Sequence, residues 1–148
     1  MSASYTSKHG IVSRPQYELY MMFTDMQRLA QMVPAQYKDA VKADFDRVEA
    51  TVKGFTIAVR VSERHPYERI VIDDDGAPFH FRVTLRFDMF AEAAKTDFSI
   101  ELDAELNLMM KMMIGNKIQE ALDKMVDAMV AVSEGRMPEG VDLSQFSK

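Results

Sequence analysis

Apolar residues recur every three or four positions from Leu108 to Glu134, near the end of the chain. This spacing is typical of a helix with one apolar face, because an α-helix completes a turn in ~3.6 residues. We therefore predict one long amphipathic helix here. Its apolar stripe comprises Met110, Ile114, Ile118, Leu122, Met125, Met129 and Val132.

Upstream of this helix, apolar and polar residues alternate, which is typical of strands with one buried face. A helix that follows such strands has the apolar face of their sheet as its natural partner. The predicted class is therefore α+β, with an antiparallel sheet packed on the last helix. The predicted strands are Ser4–Val12, Asp44–Val52, Phe55–Arg64, Glu68–Asp73, Phe79–Met89 and Phe98–Leu106.

Two hairpin registers follow from the pattern. Lys53-Gly54 reads as a tight turn that sets Val52 opposite Phe55. In the last hairpin, pairing Met89 with Phe98 places every apolar residue on the inner face. The charged pairs that this second register predicts on the outer face are Arg86 with Glu101 and Arg82 with Glu105.

A second helix is predicted near the start of the chain, from Pro15 to Met32, with Ser13 as its N-cap. Pro34 ends this pattern, because proline disfavours helical geometry in the residue before it. A short helix over Pro34–Val41 is expected to follow. The buried stripe of the Pro15–Met32 helix comprises Leu19, Met22, Phe23, Met26, Leu29 and Ala30.

The last helix carries its own boundary signals. Asn107 is a suitable N-cap, and Gly135 is well placed to end the helix. Gly115 lies inside the helix, where glycine is unfavourable relative to alanine, so we expect it to permit a close approach to the sheet.

Composition narrows the class of protein. The chain has 148 residues, 47% of them apolar, which suits one domain over residues 1–135 and a polar tail over 136–148. Its net charge of −5 argues against a nucleic-acid partner. No apolar run approaches the ~18 residues that cross a bilayer, so we expect no membrane insertion. Because the chain has no cysteine, we expect the protein to be located in the cytosol.

The residues that could bind a metal ion or act in catalysis are interpreted here as turn and surface residues. The run Asp73–Asp75 lacks the spacing of a calcium loop and is typical of a turn. His9, His65 and His80 show no metal-ligand spacing and are interpreted as surface histidines. Neither a nucleophile elbow nor a phosphate-binding glycine loop occurs. We therefore predict no catalytic residue, no metal and no cofactor.

Two features keep alternatives open. Asp44 and Asp46 either point toward the concave side of the sheet, where burial would raise the pKa of a carboxyl, or lie at the wet end of their strand. The methionine cluster is either a pliable gate to a pocket, or two core residues, Met110 and Met113, with the others on the surface or in a dimer contact. The cluster comprises Met109, Met110, Met112 and Met113.

The order strand, helix, short helix, antiparallel meander and long helix spans nearly the whole chain. Short sequence features agree with this order of elements: the helix entrance at Ser13-Arg14-Pro15, Phe23, the break at Pro34 and the run Phe98–Leu102. In these features the chain resembles the START-like superfamily, also called SRPBCC or helix-grip, which includes polyketide cyclase and dehydrase relatives and plant pathogenesis-related ligand binders. The resemblance implies a curved sheet of six to seven strands wrapped around the long helix.

In that superfamily the space between helix and sheet commonly holds an apolar ligand. Carried over to this chain, the helix and the inward strand residues would line such a cavity, unless their own side chains fill it. The implied ligand-binding residues are Met110, Ile114, Ile118, Leu122, Met125, Val59, Ile70, Phe81, Val83, Leu85, Phe87, Ile100 and Leu102.

Three functions remain open at this stage. The leading hypothesis is binding of a small hydrophobic molecule, a lipid or a polycyclic compound. A cyclase or dehydrase type of enzyme is the second, and it needs convergent polar groups inside the pocket. The third is a ligand-free interaction module that docks on a partner or forms a homodimer through exposed methionines or through Leu143 and Phe146.

Overall fold

The computed structural model describes residues 2–31, 39–52, 54–76, 79–90 and 94–135. Most of the predicted Pro34–Val41 helix and all of the 136–148 tail lie outside these ranges. The strands are β1 (Ser2–Thr6), β2 (Gly10–Val12), β3 (Val41–Ala43), β4 (Arg47–Val52), β5 (Phe55–His65), β6 (Arg69–Asp74), β7 (Phe81–Met89) and β8 (Thr96–Glu105). The helices are α1 (Gln16–Thr24), α2 (Met26–Gln31) and α3 (Leu108–Ser133).

All the strands join one antiparallel sheet in the order β1-β8-β7-β6-β5-β4-β3, and β2 also pairs with β8. Within the described residues the sheet therefore has eight strands, rather than the predicted six to seven. The predicted Ser4–Val12 strand is divided because Ser7 interrupts it. The Ser7 hydroxyl accepts a hydrogen bond from the Ile100 amide at 2.8 Å, in place of a backbone carbonyl.

The β4–β5 hairpin confirms the predicted pairing of Val52 with Phe55, and Gly54 adopts a φ of +81° in its turn. The predicted register of the last hairpin is wrong by two residues, because Phe98 pairs with Phe87 and Met89 pairs with Thr96. A shift of two residues leaves every side chain on its predicted face, since the side-chain period of a strand is two.

The charge pairs of the last hairpin change accordingly. Arg86 lies opposite Ser99, yet its Nε still donates to Glu101 at 2.7 Å. Arg82 lies opposite Asp103 and turns to Asp73 on β6, to which it donates at 2.6 and 3.0 Å. The predicted Arg82–Glu105 pairing is therefore replaced by a contact with the other neighbouring strand.

A β-bulge interrupts β5 between Val61 and Glu63. Val61 pairs with Ile72, whereas Arg64, beyond the bulge, pairs with Ile70. An extra residue in one strand exchanges its two faces beyond that point. The bulge therefore brings Arg64 to the inner face of the sheet, which simple alternation along the strand assigns to Glu63.

The predicted Pro15–Met32 helix is divided at Asp25, whose backbone is extended. The Met26 amide, freed by this break, donates to the Phe45 carbonyl at 3.1 Å. Ser13 is not the N-cap, since Pro15 holds that position and the Ser13 amide donates to Ser133 at 3.0 Å. Among the residues of the two helices whose side chains the structure describes, Leu19, Tyr20, Thr24 and Met26 are buried. The side chain of Leu29 lies outside the described part of the chain.

Helix α3 starts and stops as predicted: Asn107 accepts a hydrogen bond from the Met110 amide at 2.8 Å, and Gly135 adopts a φ of +78°. Its apolar stripe is partly wrong. Met125 and Val132 are 51% and 52% exposed, whereas Val126 is fully buried. The buried face of α3 differs from the predicted one because the helix packs against β1, β2 and β8 rather than over the centre of the sheet.

Candidate functional site

The inner face of the sheet and the facing side of α3 carry two apolar clusters. The larger joins the middle of the sheet to α1 and to the second half of α3. The smaller lies at the start of α3. Its buried members are Ala3, Ala104 and Leu106, and Tyr5, Phe79, Phe81, Met110, Ile114 and Ile118 pack on them.

An aromatic ladder fills one end of the larger cluster. Phe23 stacks on Phe87 and Phe98 with ring centroids 6.0 and 5.8 Å apart, and Phe87 and Phe98 stack on each other at 5.8 Å. Phe87 and Phe98 are almost fully buried, so the protein itself occupies the space at this end. Phe79 and Phe81 form a separate pair, with centroids 5.7 Å apart, in the smaller cluster.

The predicted lining residues divide by burial. The buried ones are Ile70, Leu85, Phe87, Ile100 and Leu122. Those that are only partly buried are Val59, Phe81, Val83, Leu102, Met110, Ile114 and Ile118. Met125 is the exception on α3, because half of its surface is exposed. The ligand-binding role of all these residues stays a prediction.

One polar atom lies between the two clusters. Tyr5 points inward from β1, opposite Leu102, and it packs against both clusters. The Tyr5 hydroxyl oxygen is buried, and it has no hydrogen-bond partner within the described ranges. Gly115 of α3 lies directly above it, and a Cβ atom at Gly115 would stand 3.1 Å from the hydroxyl oxygen. The prediction that Gly115 permits a close approach is thereby confirmed.

A second inward polar group, Arg64, is fully engaged. It donates to the carbonyl of Thr24 at 2.8 Å, to that of Phe45 at 3.1 Å and to the Asp46 carboxylate at 2.6 Å. Its guanidinium also lies 4.3 Å from the centroid of the Phe45 ring. Arg64 therefore ties the end of α1 to the β3–β4 turn rather than presenting its charge to a ligand.

The two inward polar groups were missed by the sequence analysis for different reasons. The alternation of apolar and polar residues does not reveal the bulge that brings Arg64 to the inner face of the sheet. Tyr5 lies within the predicted Ser4–Val12 strand, and its inward position could have been found from its alternation with Ala3.

Asp44 and Asp46 lie in the β3–β4 turn, where Asp44 accepts the Arg47 amide at 2.8 Å and Asp46 binds Arg64. His9 and His80 are exposed, and His65 is partly exposed. Among the methionines, Met110 is partly buried but Met113 is 68% exposed, so its assignment to the core is wrong.

An open depression of about 820 Å³ lies at the end of the sheet near the β6–β7 turn, and its lining includes Phe81 and Ala104 of the smaller apolar cluster. It shares only Phe81 with the predicted lining. The Arg82 hydrogen bond lowers the pKa of the Asp73 carboxyl, and the Arg47 hydrogen bond lowers that of Asp75. Within the described residues, no group of three His, Cys, Asp or Glu side chains could hold a metal ion. The polar lining comprises Ser2, Asp73, Asp74, Asp75, His80, Arg82, Asp103 and Glu105.

In the part of the chain that the structure describes, none of the helices has the length and apolar character to cross a membrane.

Several solved structures share this architecture. A Thermobifida fusca protein aligns with a TM-score of 0.67 at 11% identity, over 89% of this chain and 93% of that one. Norcoclaurine synthase of Thalictrum flavum, solved as a point mutant with a transition-state analogue, aligns with a TM-score of 0.66 at 8% identity, over 91% and 96%. A Chromobacterium violaceum protein aligns with a TM-score of 0.52 at 20% identity, over 90% and 97%.

The chain has the helix-grip fold. At these identities the likeness shows the fold alone. No model of a protein family matches the chain, and no curated protein matches it. What the helix-grip arrangement does in this protein therefore has to be argued from its own residues.

Proposed function

We propose that the protein is a START-like domain that binds a small hydrophobic ligand, a lipid or a polycyclic compound, between α3 and the inner face of the sheet. The observation that carries this proposal is the partial burial of inward apolar residues on both sides of that space. Val83 and Leu102 point inward from β7 and β8, and Ile114 and Ile118 lie on α3, yet all four retain accessible surface.

Inward apolar side chains at the centre of a filled interior are normally almost fully buried, because protein interiors are close-packed. The aromatic ladder around Phe87 is packed in this way. The contrast between that end and the Val83–Ile118 region supports open space next to the latter. A ligand that covered these side chains would gain about 25 cal/mol for each Å² of apolar surface removed from water.

Norcoclaurine synthase, solved in complex with a transition-state analogue, is an example of a protein of similar fold that holds a small molecule. A cyclase or dehydrase activity would need convergent polar groups, and the inward Arg64 is already bound to Thr24, Phe45 and Asp46. The binding function therefore stands ahead of the enzymatic one.

Exposed apolar residues at the start of α3 favour the interaction module as a second candidate. Leu108, Met109, Met112 and Met113 are each at least 60% exposed. Such a group is typical of a contact surface when it forms one patch of several hundred Å². Analytical ultracentrifugation tests self-association: a homodimer shifts toward monomer on dilution and in a Met109→Ser, Met112→Ser double variant.

Native mass spectrometry of the freshly purified protein tests ligand binding first. We expect a retained hydrophobic molecule, or uptake of 1-anilinonaphthalene-8-sulfonate with a rise in its fluorescence. Val83→Phe should weaken uptake by about tenfold or more, because the added ring occupies the space. Thr6→Phe, which adds a ring at an exposed strand position, is the matched control. No retained molecule and no dye uptake by the wild type would end the proposal.

A further inference from the structure

We propose that the Tyr5 hydroxyl orients the ligand by donating a hydrogen bond to a neutral oxygen acceptor, a carbonyl, ether or hydroxyl, on an otherwise apolar molecule. This inference rests on the proposed function. It concerns which hydrophobic molecules the space accepts and in which direction they lie.

The position of Tyr5 is the first argument. Its ring packs against both apolar clusters, and β1 holds it by pairing Tyr5 with Leu102. The hydroxyl therefore sits where the smaller cluster meets the larger one, beneath the first half of α3. Ile118 packs against the same two clusters, so the predicted lining and the hydroxyl share a boundary.

The unsatisfied hydroxyl is the second argument. A buried hydroxyl that makes no hydrogen bond is unfavourable, because it has lost its bonds to water without replacement. Phenylalanine would supply the same ring without that penalty. A ligand oxygen placed beside Tyr5 would satisfy the hydroxyl, and buried polar groups are generally bonded in this way.

Gly115 is the third argument. Glycine inside a helix is less favourable than alanine. A Cβ atom at this position would stand 3.1 Å from the Tyr5 oxygen, which is tighter than an ordinary contact. Gly115 therefore leaves room for the Tyr5 hydroxyl beneath α3, which a phenylalanine at position 5 would not need.

A charged ligand group is not expected at this point. The two hydrophobic clusters on which Tyr5 packs offer apolar surface to a ligand. A charge placed among them would lose its hydration without an opposing charge to replace it. A neutral oxygen loses less and gains the hydrogen bond, so a ketone or an alcohol fits better than a carboxylate.

Two probes of the same shape test the inference. Benzophenone carries a carbonyl between two rings, and diphenylmethane carries a methylene there. Affinities are measured by displacement of 1-anilinonaphthalene-8-sulfonate. Tyr5→Phe should weaken benzophenone binding by about fivefold to tenfold, the effect of one hydrogen bond, and should change diphenylmethane binding by less than about twofold. Tyr17→Phe removes an exposed hydroxyl and should change neither.

Two further readouts separate hydrogen bonding from packing. The infrared carbonyl band of bound benzophenone should lie at lower frequency in the wild type than in Tyr5→Phe. Gly115→Ala should reduce the preference for benzophenone, since it crowds the hydroxyl. The thermal midpoint of the ligand-free protein should not fall in Tyr5→Phe, because no bond is lost.

The outcomes distinguish the two proposals. Equal weakening of both probes in Tyr5→Phe, an unshifted carbonyl band, or a clear fall of the ligand-free midpoint would overturn the role of Tyr5 while leaving ligand binding intact. A wild type that binds neither probe nor the dye would overturn the proposed function and this inference with it.

Discussion

The Nη2 atom of Arg64 lies 2.8 Å from the carbonyl oxygen of Thr24, the last residue of α1. A helix ends in carbonyl groups that lack partners within the helix, and a cation placed there is favourable. The Arg64 Nε also donates to the Thr24 hydroxyl at 2.8 Å. One side chain from the sheet therefore closes the end of α1.

Replacing this side chain should destabilise the protein. Arg64→Met leaves the Thr24 carbonyl without its charged donor, and we expect the free energy of unfolding to fall by about 2 to 3 kcal/mol. Arg60→Met makes the same change on the same strand, where the side chain is 52% exposed and its ion-pair distance is 3.4 Å, so less than about 1 kcal/mol should be lost. Urea denaturation measures both, and equal losses would refute the distinction.

Gly10 should not tolerate a side chain. A Cβ atom there would lie 2.5 Å from Val126 and 2.8 Å from Val130, so β2 and α3 would have to separate. Gly10→Ala should lower the free energy of unfolding by about 1 to 3 kcal/mol through overpacking. In a double-mutant cycle with Val126→Ala, the double variant should lose less than the sum of the single losses. Additive losses would show that Val126 is not the obstacle.

The aromatic ladder should be the most sensitive part of the core. Phe87→Ala removes one of the three mutually stacked rings, and we expect a loss of about 3 to 5 kcal/mol in the free energy of unfolding. Met89→Ala, two residues along the same strand at an 81% exposed position, should change it by less than about 0.5 kcal/mol. Comparable losses for the two variants would contradict the packing described for Phe87.

His80 should titrate above its ordinary range, because the Asp74 carboxylate accepts its hydrogen bond and raises the pKa of the imidazole. A group whose pKa is raised by folding contributes stability that is fully present below its unfolded pKa of about 6.5 and is lost as pH rises through the folded pKa. The His80 pKa is measured by NMR titration. Asp74→Asn should return it toward the ordinary value, and an unchanged pKa would rule out Asp74 as the cause.

The alternation of Phe81–Met89 and Phe98–Leu102 was sufficient to predict two neighbouring strands and their inner faces. It was not sufficient to fix their register, because a shift of two residues preserves the faces and Arg86 still reaches Glu101. The division of the N-terminal strand depends on Ser7 bonding to Ile100, a contact across 93 residues of sequence.

The face of α3 was also only partly predictable. A stripe through Met125 and one through Val126 both satisfy helical spacing, because apolar residues occupy both positions. Which of the two residues is buried depends on where α3 crosses the sheet. At that crossing Gly10 has no side chain and therefore leaves room for Val126. Arg64 was missed because a bulge reverses the alternation of its strand. The inward position of Tyr5 was predictable from alternation, but its unpaired hydroxyl beneath Gly115 depends on a contact with a residue distant in sequence.

The pairing of β1 and β2 with β8 has a consequence for biogenesis. Residues 2–12 pair with residues 96–105, so β1 and β2 are synthesised well before the strand with which they pair. Contacts between such distant segments slow folding, because a long loop must close before they form. Until that loop closes, β8 carries an unpaired edge that another chain could occupy.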